Sequence, residues 1–293
     1  MQNFLHLFSY EFVQNAYLTG TIVALISAVM GYFVVLRAQT FASEALADIG
    51  FAGAAGAAIL GVGSLIGMFF LTILAALGMG ALGDRLRGRD VEIGMVLSFA
   101  LGLGVLFLTL YTQSGSHATQ GVNVLFGSIL SVTRGDLFIT FFSSIAALLL
   151  IGLLFRPLLF ASIDPEVAQT RGVPVRWLST IFLVLLAITT AEAVIAVGVL
   201  LVLALLIAPA ASALHLTRRP LTSLLLAGGL SLLVAWGGLT LAFIGPGSRL
   251  PVGFFVATLA TLLYLSSLLL RRLRVPSHHR TPSPPCRGCK TQQ

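Results

Sequence analysis

Long uninterrupted apolar runs constrain this chain more than any other feature of its sequence. Nine of them approach the ~20 residues that an α-helix needs to cross the hydrocarbon of a bilayer. Transmembrane β-strands would instead alternate apolar and polar residues over about 10 residues. The runs predict an all-α fold, a polytopic transmembrane helix bundle with eight or nine spans. The predicted segments are residues 13–36, 42–60, 64–82, 91–111, 136–155, 177–194, 197–215, 221–244 and 251–270.

The composition excludes a soluble domain. Charged residues make up 9% of the 293 residues, whereas a soluble domain carries about 25%. Residues 1–11 hold no Lys or Arg, and the first apolar run is too long for a cleavable signal peptide, so we interpret that run as the first span. The formal net charge of +7 lies in short loops and in the C-terminal tail. We interpret this charge as a topology signal and expect no nucleic-acid partner.

The placement of arginine predicts the orientation, because cytoplasmic loops carry an excess of Lys and Arg. The loops at 112–121 and 245–251 hold zero and one Arg, and we expect them to be external. Nine spans then put the N-terminus outside and the C-terminus in the cytoplasm. Residues 122–131 are too short to span, so we expect a re-entrant or interfacial helix there. The basic stretches that we expect to be cytoplasmic are 84–90, 156–176, 215–220 and 271–274.

The segment TFASEALADIGFAGAAG at 40–56 places two acids, Glu44 and Asp48, four residues apart. On a helix they share one face with their Cβ atoms about 5–6 Å apart, and like charges there repel. A divalent cation or a shared proton would offset the repulsion. Alternatively, the helix begins near residue 47 and both acids face interfacial water. Residues 52–58 are all Gly or Ala, which favours a central, closely packed helix and a pathway role for the acids.

The segment SIDPEVAQTRGVPVRWL at 162–178 predicts a short helix in a cytoplasmic loop. Asp164 suits the N-cap, Pro165 the first helical position and Glu166 the first turn. Gly172 suits the position just after the helix ends. Such a helix is either an ordinary interfacial helix or a docking element for a cytoplasmic partner.

Two further groups of residues could carry chemistry. Glu192 could line a pathway, or it could extend from a helix end to the outer surface. The Pro-rich tail at 276–293 is predicted to be disordered, in contrast to a transmembrane domain over 1–275. A CxxC sequence with nearby histidines can bind Zn²⁺, and the candidate ligands in the tail are His278, His279, Cys286 and Cys289.

The chain has no recognisable enzymatic motif. The phosphate-binding sequence GxxxxGK[ST] is absent, and the only lysine is Lys290 in the tail. No Ser-His-Asp set or HExxH sequence is present either. We therefore expect a transport subunit and not an enzyme, and any ATP that drives it would be bound by another chain.

The chain resembles the permease subunit of bacterial ABC importers for divalent metals, the zinc and manganese ABC-3 family. The resemblance covers nearly all of residues 10–272. It rests on the early acidic pair and on four strings, LFGSILSVTRGDL at 125–137, DPEVAQTRGVPVRWL at 164–178, AVGVLLVLALLIAPAASA at 196–213 and TRR at 217–219.

This resemblance implies an ABC importer of the bacterial cytoplasmic (inner) membrane. Two permease copies would form the pathway in the lipid, two cytoplasmic ATPase subunits would bind ATP, and an extracytoplasmic binding protein would deliver Zn, Mn or Fe. The metal is the substrate, and no permanently bound cofactor is implied. The helix at 164–172 corresponds to the region that docks into the ATPase. The residues expected to couple to the ATPase are Asp164, Pro165, Glu166, Val167, Arg171 and Gly172.

The early motif departs from the family pattern, which typically pairs an Asp with a His four residues later. Here Glu44 and Asp48 take those positions, so the pair offers oxygen ligands alone. Imidazole favours Zn²⁺ and carboxylates favour harder ions such as Mn²⁺, so we expect a weaker preference for zinc. Two alternatives stay open. An importer of a metal chelate would need no ligands for a bare ion, and an ATP-independent cation carrier would need no docking helix.

Overall fold

The computed structural model describes residues 11–82, 90–113, 133–217, 219–244 and 252–274. Within these residues the chain forms ten α-helices and no strand, which confirms the predicted all-α class. A short 3₁₀ turn, Val199–Leu201, separates the seventh and eighth helices. The helices are α1 (Glu11–Leu36), α2 (Thr40–Ile59), α3 (Ser64–Leu82), α4 (Asp90–Gln113), α5 (Arg134–Ile163), α6 (Pro165–Thr170), α7 (Val175–Val197), α8 (Val202–Leu216), α9 (Pro220–Ile244) and α10 (Val252–Arg274).

Each of the nine predicted apolar segments coincides with a helix, but fewer of these helices qualify as spans. Six helices in the described residues are long and apolar enough to cross a membrane, namely α1, α3, α5, α7, α9 and α10. The predicted count of eight or nine is therefore higher than the structure supports. In α2 the two acids and the many Gly and Ala residues lower the hydropathy, α8 has 15 residues, and α4 has a shorter apolar stretch, Leu97–Tyr111. Six such helices make this a multi-pass membrane protein.

Helix α7 lies at the centre of the bundle. Its most apolar window is 72% buried within the chain and that of α1 is 67% buried, whereas the value is 22% for α3, α5 and α10. Helix α7 packs against α1, α2, α3, α5 and α8. Side chains on α7 therefore face protein, and one side of the peripheral helices is left for lipid or for other chains.

Helix α2 is held in the bundle by close backbone packing. At the crossing of α2 and α3, a Cβ atom added to Gly53 would lie 2.5 Å from the carbonyl oxygen of Gly67, and a Cβ added to Gly67 would lie equally close to the carbonyl oxygen of Gly53. Two helices approach this closely in a membrane only where small residues meet. The small residues after Asp48 thus place α2 against its neighbours, as the sequence predicts.

The short helix α6 forms as the sequence predicts. The Asp164 carboxylate accepts a hydrogen bond of 3.1 Å from the Val167 N–H, and Pro165 occupies the first helical position. Gly172 follows the helix with φ of 82°, in the left-handed region that favours glycine. The N–H groups of Gly172 and Val173 donate to the carbonyls of Gln169 and Ala168, which completes a Schellman motif. Helix α6 is therefore capped at both ends by residues close to it in sequence, and it connects α5 to α7.

Several predicted features lie outside the described residues. They are the basic loop over 84–89, the external loops over 114–121 and 245–251, the short segment 122–131, and the tail with His278, His279, Cys286 and Cys289.

Candidate functional site

The carboxylate pair Glu44 and Asp48 lies within α2. The helix begins at Thr40, so both acids are helical and share one face. Asp48 is 5% exposed and Glu44 is half-buried. The alternative in which the helix begins near residue 47 is therefore wrong, and Asp48 does not face interfacial water.

Apolar packing on both sides of Asp48 fixes the position of α2. Leu46 belongs to a buried cluster that includes Phe182 and Leu186 of α7. Phe51 belongs to a second buried cluster that includes Met68 of α3 and Val194 of α7. Asp48 thus projects from a helix whose neighbouring residues are anchored against two other helices.

No described part of the chain neutralises the pair. Within the described residues no hydrogen bond or ion pair reaches either carboxylate, and the charge of Glu44 acts on the Asp48 carboxylate. A buried charge that lacks both a counter-charge and hydrogen bonds is costly. The arrangement therefore favours a bound cation or a proton, which were the two possibilities left open by the sequence.

Contacts at the start of α2 show how far Glu44 and Asp48 lie from the end of the bundle that carries α6. Arg37, in the turn before α2, donates a hydrogen bond of 3.3 Å to Ser179 and lies 5.0 Å from the centroid of the Phe182 ring. Both partners are in the first turns of α7, directly after α6. The start of α2 therefore lies at the end of the bundle that carries α6. At a rise of about 1.5 Å per residue, Asp48 lies roughly 12 Å inward from that start.

Glu192 occupies a different level of the bundle. It lies 17 residues into α7, or roughly 26 Å from the α6 end. It is 1% exposed, so the predicted extension of its side chain to the outer surface is wrong. No group of three or more His, Cys, Asp and Glu side chains forms a metal site within the described residues. Glu192 is therefore not brought together with Glu44 and Asp48.

The partners of Glu192 are two serines that the sequence did not predict. Ser143 and Ser144, both on α5, lie 2.5 Å from the Oε1 and Oε2 atoms of Glu192. The only signal in the sequence is that two adjacent serines interrupt the apolar run at 136–155. Residues 48 or 49 positions apart give no local pattern that would pair them.

Comparison with known proteins identifies the class of this multi-pass helical protein. The sequence model of the ABC 3 transport family matches residues 9–271, so the chain belongs to that family. The chain is similar to the manganese transport system membrane protein MntC of Listeria monocytogenes, with 31% identity over 264 residues, 90% of this chain and 92% of MntC. It is also similar to the manganese import system permease protein ScaB of Streptococcus parasanguinis, with 31% identity over 275 residues, 94% of this chain and 96% of ScaB.

Solved structures agree in fold. The structure titled PsaBC from Streptococcus pneumoniae in complex with Fab has a TM-score of 0.78 and 28% sequence identity, and the match covers 88% of this chain and 91% of that chain. An inward-facing structure of a putative metal-chelate type ABC transporter has a TM-score of 0.61 at 19% identity, over 88% of this chain and 85% of that one. At that lower identity the second likeness concerns the fold alone. The predicted family and permease-type fold are confirmed.

Proposed function

We propose that this protein is the membrane-spanning permease subunit of an ATP-driven importer that moves a divalent metal ion into the cytoplasm. The observation that carries the proposal is the pair Glu44 and Asp48, four residues apart on one face of α2 and without a neutralising partner in the described chain. The relatives named as manganese permeases support this reading. Among Zn, Mn and Fe, an all-oxygen pair favours the harder Mn²⁺ over Zn²⁺.

The pair acts as a transient seat for the ion. In the empty state the two carboxylates repel, and a divalent cation that has lost part of its hydration shell relieves that repulsion. A seat of only two carboxylates leaves other coordination positions for water or for further ligands, which favours release. The pathway role of Glu192 and metal binding by His278, His279, Cys286 and Cys289 in the tail stay hypotheses.

Helix α6 is the docking element for a cytoplasmic ATPase subunit. Val167 is 43% exposed, although it is apolar and lies between the two capped ends of α6. Glu166 and Arg171 are also exposed, and they give the surface charges of both signs. Asp164, Pro165 and Gly172 shape this element, and ATP is bound by the partner. An extracytoplasmic metal-binding protein and a second permease copy complete the importer, which lies in the cytoplasmic membrane with the C-terminus inside.

A metal-starved uptake assay tests the function. Cellular Mn, Zn and Fe are measured by elemental mass spectrometry in a strain that lacks the gene, and in that strain carrying the natural chain or the double variant Glu44→Gln/Asp48→Asn. Membrane levels of the proteins are matched. Glu11→Gln is the control, because it removes an exposed carboxylate at the opposite end of the bundle.

We expect the natural chain and Glu11→Gln to restore uptake of one metal, and the double variant not to restore it. Equal uptake by the double variant would show that the pair is structural. Restoration of no metal would favour the chelate importer. Uptake that persists without any ABC ATPase in the cell would favour the independent carrier.

A further inference from the structure

A buried hydrogen-bonded link joins two helices that the acidic pair does not involve. Glu192 of α7 lies between Ser143 and Ser144 of α5, with one serine oxygen 2.5 Å from each of its carboxyl oxygens. Glu192 and Ser144 are each 1% exposed. Within the described residues no charged side chain interacts with Glu192. The link therefore has no cation to hold an ionised carboxylate.

The distances around Ser143 fit a neutral Glu192 carboxyl better than an ionised one. The Ser143 hydroxyl oxygen lies 2.7 Å from the carbonyl oxygen of Ile139 and 2.5 Å from Oε1 of Glu192. A serine hydroxyl has one proton, and an ionised carboxylate accepts but does not donate. If Glu192 were ionised, the single Ser143 proton could serve only one of its two contacts, either with the Ile139 carbonyl or with Oε1. The other contact would then bring two oxygens together with no hydrogen between them. A neutral Glu192 supplies it: Oε1–H donates to Ser143, Ser143 donates to Ile139, and Ser144 donates to Oε2.

The position of the link along the chain suggests what it does. Helices α5 and α7 are the two helices that α6 connects. Ser144 lies 19 residues before the end of α5 and Glu192 lies 17 residues after the start of α7, so the link is roughly 26–29 Å from α6. Near α6, the two helices are joined by a buried cluster that includes Leu158, Ala168 and Leu178. The α5–α6–α7 hairpin is thus fastened at both ends.

The link also joins helices of very different burial. The most apolar window of α5 is 22% buried within the chain, whereas that of α7 is 72% buried. In the far half of α5, the buried side chains are Thr140, Ser144 and Ala147, so Ser144 is one of few there that can hold α5 in the bundle. Glu192 and Ser144 are buried and Ser143 is half-buried, and hydrogen bonds are stronger in such a low-dielectric environment than in water.

We propose that Glu192, in its neutral form, is a positioning residue that fastens α5 to α7 so that the α5–α6–α7 hairpin moves as one body. Movement of α6 by a bound ATPase then reaches the far half of both helices together. The transport consequence rests on the proposed function, but the neutral hydrogen-bonded link does not.

The test compares variants that keep or break the link without relying on transport. Glu192→Gln keeps a neutral donor and acceptor of the same length, whereas Glu192→Ala and Ser143→Ala/Ser144→Ala remove the link. Thr190→Ala is the matched control, since its hydroxyl is buried on α7 but bonds within its own helix to Ala187. Thermal unfolding of the full-length chain in detergent and infrared spectra are measured. Metal uptake is measured in cells at matched membrane levels.

We expect Glu192→Gln and Thr190→Ala to unfold near the natural midpoint, and the link-breaking variants to unfold several degrees lower. A variant that combines Glu192→Ala with both serine substitutions should unfold no lower than Glu192→Ala or the double serine variant, because all of them remove the same interaction. The natural protein should show the infrared C=O band of a protonated carboxyl, and Glu192→Gln should lower its intensity by the contribution of one carboxyl. Uptake should persist in Glu192→Gln. It should fall at least about fivefold in Glu192→Ala and in Ser143→Ala/Ser144→Ala, because the loss of a buried hydrogen bond shifts an equilibrium by about that factor.

Three results would overturn the proposal. Glu192→Gln could be as unstable as Glu192→Ala, which would mean that the charge is needed. Glu192→Ala could match Thr190→Ala, which would mean that the link carries no stability. The carboxyl band could be unchanged by Glu192→Gln, which would mean that Glu192 is ionised. If uptake fails in every strain while the unfolding and infrared results hold, the error lies in the proposed transport function and not in the link.

Discussion

Replacing Asp48 by Asn should stabilise the metal-free protein and remove its response to metal. The Asp48 and Glu44 side chains share one face of α2, where the i, i+4 spacing puts their Cβ atoms about 6 Å apart. With an effective dielectric constant of about 20, their repulsion is about 3 kcal/mol when both are ionised. Asp48→Asn removes this repulsion and the cost of one buried charge, and it leaves a seat with a single carboxylate.

The assay is thermal unfolding of the purified full-length chain in detergent, first with a chelator and then with Mn²⁺. A metal that binds only the folded state stabilises it by about 2.7 kcal/mol at 100 times its dissociation constant. We expect Mn²⁺ to raise the midpoint of the natural chain by several degrees. For Asp48→Asn we expect a higher midpoint with the chelator and no further rise with Mn²⁺.

Two further carboxylate variants serve as comparisons for Asp48→Asn. Glu44→Gln should behave like Asp48→Asn. Glu11→Gln should change neither measurement appreciably, because its carboxylate lies at the far end of α1 and its ion pair with Arg134 is exposed and contributes little. A lower midpoint of Asp48→Asn in chelator, together with an undiminished response to Mn²⁺, would refute the reasoning. It would show that the chain compensates both carboxylates and that the ion binds elsewhere.

Three further predictions concern the ligand type and the backbone. Asp48→His should raise zinc uptake relative to manganese, because imidazole favours Zn²⁺; equal metal ratios in the variant and the natural chain would contradict this. Gly198→Ala should lower the unfolding midpoint by the equivalent of about 1–3 kcal/mol, since Gly198 has φ of 96° and ψ of 156°, a conformation essentially limited to glycine; an unchanged midpoint would contradict the strain argument. Gly53→Ala should destabilise the protein and weaken metal uptake because its Cβ would strike the backbone of Gly67, whereas Gly102→Ala, with no neighbour within 4 Å, should be nearly silent; similar effects of the two would count against the close α2–α3 crossing.

Much of the fold could be predicted because its signals are local. Apolar runs located all nine long helices of the described chain, and capping residues located α6 between Asp164 and Gly172. The spacing of Glu44 and Asp48 was sufficient to place both on one helical face. The number of spans was overestimated, because α8 and the apolar stretch of α4 are too short, and the two acids and many small residues of α2 lower its hydropathy.

The candidate site depended on both levels. The sequence supplied the chemistry of the acidic pair, but two positions for it stayed open, in interfacial water or in protein. The start of α2 at Thr40 and the burial of Asp48 decided between them. Burial depends on which helices pack together, and that is decided by contacts between residues far apart in the chain.

The sequence by itself determined which segments are helical and which residues carry charge. Those properties follow from the solvation and the backbone hydrogen bonds of neighbouring residues. Only the tertiary structure decided that α7 is central, that α2 crosses α3 at backbone contact, and that Glu192 meets Ser143 and Ser144. These contacts join residues far apart in the chain, and their energies come from packing and from desolvated hydrogen bonds that exist only when the helices assemble.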